Sequence, residues 1–151
     1  VNPRNHITQL SKEQLGLIYS GQVTNWSELG GPNVAISLFA RDENSGTWDS
    51  FKNMVLGKRY QLSEAAQRFE SSENLVRNVL QNEGGIGFIG MAFVGKSKLL
   101  AISDGPAQAF EPSQLTVATE DYALSRRLFF YTHAQPSSEY VKEFMRFAQG
   151  I

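Results

Sequence analysis

The 151 residues are enough for one domain with its own core, and 41% hydrophobic against 19% charged residues is the balance of an ordinary soluble globular domain. A formal net charge of −1 gives no global pull towards nucleic acid or an acidic membrane surface, so any affinity for an anion has to be local. No apolar run approaches the length of a membrane span, and the absence of cysteine excludes disulfides, Cys-ligated zinc and thiol nucleophiles.

In chain order, Ser11 reads as an N-cap with Gln14 as its capping-box partner. Leu15, Ile18 and Tyr19 then give the i, i+3, i+4 face of a helix that stops at Gly21. Gly30-Gly31-Pro32 is a turn. Residues 34–40 read as a buried strand, with Val34, Ile36 and Leu38 alternating with smaller residues. A polar turn containing Ser45 and Gly46 follows. A helix from about Thr47 to Leu56 then buries Phe51, Met54 and Val55 and stops at Gly57. Residues 63–69 read as a short helix. Ser72 caps a better one, with Leu75, Val76, Val79 and Leu80 as its stripe, ended by Gly84-Gly85. Residues 86–89 and 99–102 read as strands, Asp104-Gly105-Pro106 as a turn, and residues 115–118 and 128–132 as further strands. Ser138 opens a last helix carrying Tyr140, Val141, Phe144, Met145 and Phe147. Strands alternate with helices over a single unit, residues 1–151. That pattern predicts an α/β layered fold with a largely parallel sheet.

The chemistry concentrates in residues 41–51, R-D-E-N-S-G-T-W-D-S-F. A helix opening at Ser45-Gly46-Thr47 presents free backbone N–H groups and the positive end of its dipole. Glycine lets an anion approach, the two hydroxyls add donors, and Arg41 at the strand end adds a planar fork suited to phosphate or carboxylate oxygens. The same residues are also ordinary helix caps, and an Arg at a strand end is also an ordinary surface charge.

Four stretches, in the same order, carry a resemblance. They are residues 9–32, with S-G-Q-V-T-N-W and G-G-P; Arg41 with Ser45-Gly46-Thr47; residues 71–90, ending G-G-I-G-F-I-G; and residues 121–132, D-Y-A-L-S-R-R-L-F-F-Y-T. Together they resemble the phosphate-binding periplasmic proteins of ABC transporters, within the type 2 periplasmic binding protein fold. Ala123 stands where that family usually has Pro.

The resemblance implies a three-layer α/β lobe with a mostly parallel central sheet flanked by helices. It implies that the chain is one lobe of a two-lobed protein: the second lobe, the return strand and one C-terminal helix, without the first lobe. The ligand implied is inorganic phosphate, held by Arg41 as the charged clamp and by Ser45, Gly46 and Thr47 as hydroxyl and backbone donors. The partners implied are an ABC transporter permease and a missing N-terminal lobe, or a homodimer mate in its place, with no nucleic acid, no metal and no cofactor. The location implied is the periplasm or cell envelope. In the family, the carboxylate that accepts the ligand's proton belongs to the first lobe. Asp42, Glu43 and Asp49 read as solvated or first-turn acids instead.

The same residues raise two other functions. In an enzyme, Ser45 would be a nucleophile with His6 or His133 as base. The triplet lacks the Gly-x-Ser-x-Gly elbow, however, and both histidines lie near the chain ends, so no catalysis is expected. A cell-envelope interaction or sensing module would keep the fold without transport. Trp26 is expected to pack in the core or at the rim rather than stack on a ligand, Asn25 to cap the backbone locally, and Arg126 and Arg127 to flank the return strand and pair with acids.

Overall fold

A computed structural model describes residues 1–127, 129, 131–133 and 138–149. Strand β1 (Gln9–Ser11) runs straight into helix α1 (Lys12–Tyr19). Ser11 caps that helix as expected: its hydroxyl accepts from Gln14 N, while the Gln14 side chain accepts from Ser11 N at 2.8 Å. Leu15, Ile18 and Tyr19 are buried. A 3₁₀ turn (Trp26–Leu29), capped by Asn25, leads to β2 (Ser37–Arg41). The expected strand over 34–40 starts later, because Ala35 makes only an isolated bridge to Asn25.

Strand β2 organises the chain. It pairs in parallel with β3 (Gln67–Phe69) on one side and β4 (Gly85–Gly87) on the other. The registers are Arg41↔Phe69 and Leu38↔Ile86. A second parallel pair joins β1 to β5 (Ala101–Ser103). Parallel neighbours need crossovers, and helices supply them. Helix α2 (Gly46–Phe51), continued by a π-helical turn (Lys52–Leu56), follows β2, and α3 (Ser72–Gln81) joins β3 to β4. The alternation of β2 sends Phe39 to Leu75 and Val79 of α3. Leu38 and Ala40 join the main core with Ile18 and Tyr19 of α1 and Trp48 and Phe51 of α2. The sheet therefore lies between two helical layers, as expected.

Three expectations are corrected. Residues 63–69 do not form a helix: Ser63 N is held by Tyr19 O at 2.8 Å, and Gln67 to Phe69 pair with β2 as β3. Pairing with a central strand outweighs a weak helical preference. Residues 115–118 lie in helix α4 (Gln114–Ala118), not a strand. Ser113 and Thr116 cap each other reciprocally there, and Thr116 Oγ1 also donates to Glu111 O at 2.7 Å. Of the strand expected over 128–132, Leu128 and Phe130 lie outside the described residues, and Phe129, Tyr131 and Thr132 are not in a strand. A smaller shift concerns α3, which is capped by Ser71 rather than Ser72. The last helix, α5 (Glu139–Gln149), forms as expected. No helix among the described residues is long and apolar enough to cross a membrane.

Trp26 is wholly buried and donates its indole N–H to Gly84 O at 3.0 Å, which fulfils the core role expected of it. Gly84 O also accepts from Ser37 N, the first residue of β2. This close approach requires glycine, because a Cβ at residue 84 would lie 1.9 Å from Ala35 O. Gly84→Ala is therefore expected to destabilise the fold by about 3 kcal/mol, since neither backbone can move without breaking these bonds. Chemical denaturation checks this; an unchanged midpoint would refute the close approach.

Candidate functional site

At the end of β2 the chain turns through Asp42 to Ser45. Asn44 N donates to Asp42 Oδ1 at 2.9 Å and Ser45 N to Asp42 O at 3.2 Å. Ser45 is the N-cap of α2 and is buried. Its Oγ accepts from Thr47 N at 3.2 Å and Trp48 N at 3.4 Å. The ordinary capping role and the position at a helix start are thus both present. The Ser45 hydroxyl proton is still available, because those two bonds use only its oxygen. Gly46 is exposed and its N–H makes no hydrogen bond among the described residues; Thr47 is half-buried. The structure therefore brings Ser45, Gly46 and Thr47 together on one turn.

Arg41 sits differently. Its Nε donates to Phe69 O at 3.2 Å, Nη1 to Ser72 Oγ at 2.8 Å and Nη2 to Glu70 O at 2.8 Å. The guanidinium is thereby fastened to the connection between β3 and α3. Three of its five N–H groups are used and two are spare. Asp42 adds an ion pair at 3.7 Å. Asp49 lies in the first turn of α2, as expected of it.

Two further arginines converge on this turn. Arg68 lies over the Trp48 ring at 4.5 Å, donates to Arg41 O at 3.2 Å and pairs with Glu43 at 3.4 Å. Arg126 reaches in from the segment after α4: a Cβ placed on Gly46 would lie 3.6 Å from its Nη2. Its neighbour Arg127 pairs with Glu120, as expected of that stretch. Nothing in the local spacing announces the approach of Arg126 to Gly46. The only signal was the Ser125-Arg126-Arg127 run, which gives charge without location.

A cavity of about 390 Å³ opens beside α2. Thr47 and Ser50 line it from the helix, Phe88 from the floor, and Tyr122, Ser125 and Arg126 from the segment after α4. Of the four residues expected to bind the ligand, only Thr47 lines it. The floor is rigid, because Phe51 and Phe88 stack at 4.0 Å and Tyr19 meets Phe51 edge-on at 4.7 Å. Burial raises the Tyr122 hydroxyl to about 12, so it stays protonated at neutral pH. His6 and His133 are both exposed. No cluster of three or more metal-ligating side chains occurs among the described residues.

Ser45→Ala is expected to cost about 1 kcal/mol of stability by removing the cap, and Ser45→Thr to restore most of it. Urea midpoints for both variants test this. Equal stability of Ser45→Ala and the parent would show that the cap contributes nothing.

A family model described as a PBP superfamily domain matches residues 1–150. The phosphate-binding protein PstS of Staphylococcus aureus (strain USA300) is 32% identical over 156 residues, a match covering 97% of this chain and 47% of that protein. An ABC-type phosphate transport receptor from Vibrio cholerae is 31% identical with a TM-score of 0.79, over 99% of this chain and 61% of that one. A Clostridium perfringens protein described as a phosphate ABC transporter substrate-binding protein was solved with bound phosphate. It is 28% identical with a TM-score of 0.65, over 81% of this chain and 49% of that one. The chain spans about half the length of the curated relatives it matches.

Proposed function

The chain belongs to the PBP superfamily, and on that premise we propose that it is a lobe of a solute receptor that binds inorganic phosphate and serves an ABC transporter. The observation that carries this reading is the fastened Arg41 standing four residues before a helix that starts Ser45-Gly46-Thr47. Its two spare N–H groups, the Ser45 and Thr47 hydroxyls and the Gly46 N–H are donors of the kind a tetrahedral oxyanion takes up. Holding the guanidinium in advance removes the entropy cost of ordering a long side chain on binding. The names of the relatives point the same way.

Binding without turnover is part of this reading. Ser45 Oγ already accepts two helix N–H groups, which makes it a poor nucleophile. Selectivity for phosphate over sulfate requires a carboxylate facing the ligand's proton, because sulfate has no proton to give it. Asp42 is paired with Arg41 and Glu43 with Arg68, so these acids are already committed. That acceptor belongs to a partner lobe, or to a second copy completing the site. Service to a transporter implies an exported protein, in the periplasm or cell envelope, with a permease as its partner.

Calorimetric titration of inorganic phosphate into this chain, in a low-salt buffer free of other oxyanions, tests the proposal. Binding is expected that sulfate displaces. Thr47→Val, which removes a hydroxyl at nearly constant volume, is expected to weaken it about fivefold. Arg41→Ala is expected to abolish it, with a thermal melt run alongside because that variant also unfastens residues 69–72. Binding unchanged in both variants would sink the assignment.

A further inference from the structure

Arg126, an exposed side chain beside the anion turn, makes no hydrogen bond or ion pair among the described residues. The other arginines near it are spoken for. Arg41 holds Phe69 O, Glu70 O and Ser72 Oγ and pairs with Asp42. Arg68 is shared between Glu43 and the Trp48 ring, and Arg127 is paired with Glu120. Asp49 is exposed on α2 and forms no ion pair with Arg126.

The backbone that carries Arg126 is anchored rather than loose. Tyr122 N donates to Thr116 O and Ser125 N to Tyr122 O, each at 2.9 Å. Tyr122, Ala123 and Leu124 pack against the main core. The guanidinium is therefore delivered to Gly46 by a packed segment. Gly46 is where the positive end of α2 begins, and a cation there is electrostatically unfavourable. Asp49, in the first turn of α2, offsets part of that repulsion without pairing with Arg126. An anion lying between the guanidinium and the helix start would reverse its sign. Arg126 also lines the same cavity as Thr47 and Ser50.

We infer that Arg126 is the second cationic contact of the anion site and favours the doubly charged form of the oxyanion over the singly charged one. This rests on the phosphate reading of the turn. Arg41, partly compensated by Asp42, supplies a fixed fork from the β2 side. Arg126 supplies a charge with no ion-pair partner among the described residues, from the cavity side of Gly46. Two guanidinium groups match a dianion better than a monoanion. The Tyr122 hydroxyl in the same wall stays neutral across the relevant pH range, so the charge balance of the site is that of its arginines and acids.

The test is a titration of inorganic phosphate into the full chain at about pH 6 and about pH 8, on either side of the phosphate's second ionisation. It compares wild type with Arg126→Gln, Arg126→Lys and Thr47→Val at low ionic strength, with melts to confirm folding. Wild-type affinity is expected to rise with pH. Arg126→Gln is expected to weaken binding about fivefold at the higher pH, change it little at the lower, and so flatten the rise. Arg126→Lys is expected to restore most of the rise, which a purely structural role would not require. If Arg126→Gln matches wild type at both pH values while Thr47→Val weakens binding, the inference falls and the phosphate reading stands. An equal loss at both pH values without rescue by lysine would also overturn it. If wild type shows no binding at all, both fall together.

Discussion

The parallel pairing of β2 on both of its edges is the constraint on which the site depends. Parallel strands present their carboxyl ends on one side of a sheet, so the helices that follow them start on that side as well. Helix α2 starts after β2 and α3 after β3. The register Arg41↔Phe69 then leaves the Arg41 side chain beside the start of α3, where it finds Phe69 O, Glu70 O and Ser72 Oγ. One guanidinium thus ties the carboxyl end of β2 to the start of α3. Truncating it would leave two carbonyls without these donors as well as removing a charge, so the fold and the proposed site share this residue.

The main core protects that arrangement from behind. Phe51 and Phe88 stack under the cavity, and Trp48 is held between Phe88 and the Arg68 guanidinium. Further down the sheet, Trp26 and Gly84 lock the amino end of β2 to the segment leading into β4. Movement of β2 is opposed at both ends, which suits a site that gains by holding its donors in advance. The described C-terminal part is different. Tyr140 and Phe147 of α5 are each 83% exposed, so the described residues of this lobe do not cover them.

Much of this is legible in the residues, and the failures have two different causes. The Ser11–Gln14 capping box and the Ser45 cap are local devices, and their partners lie within three residues. The stripe of α3 was readable for the same reason, down to the burial of Leu75, Val76 and Val79. The helix expected over residues 63–69 gives way to β3 because the deciding contact is with β2, far away in the chain. Residues 115–118 were misread because β-branched Thr116 and Val117 suggest a strand, while Thr116 used its hydroxyl to close a cap. The Ser-Gly-Thr turn was visible as a motif. The fastening of Arg41 to residues 69–72 and the arrival of Arg126 at Gly46 were not, since both depend on tertiary placement.

The two tryptophans divide the molecule's optical behaviour between them. Trp26 is sealed in the core with its N–H committed to Gly84 O, so its emission should be constant. The Trp48 backbone N–H is held by Ser45 Oγ, its ring lies beneath Arg68, and it starts three residues past the cap of α2. A change of charge at the turn alters the field across that indole. Trp48 emission is therefore the signal placed to respond to a charge at this turn, with the sealed Trp26 as its reference.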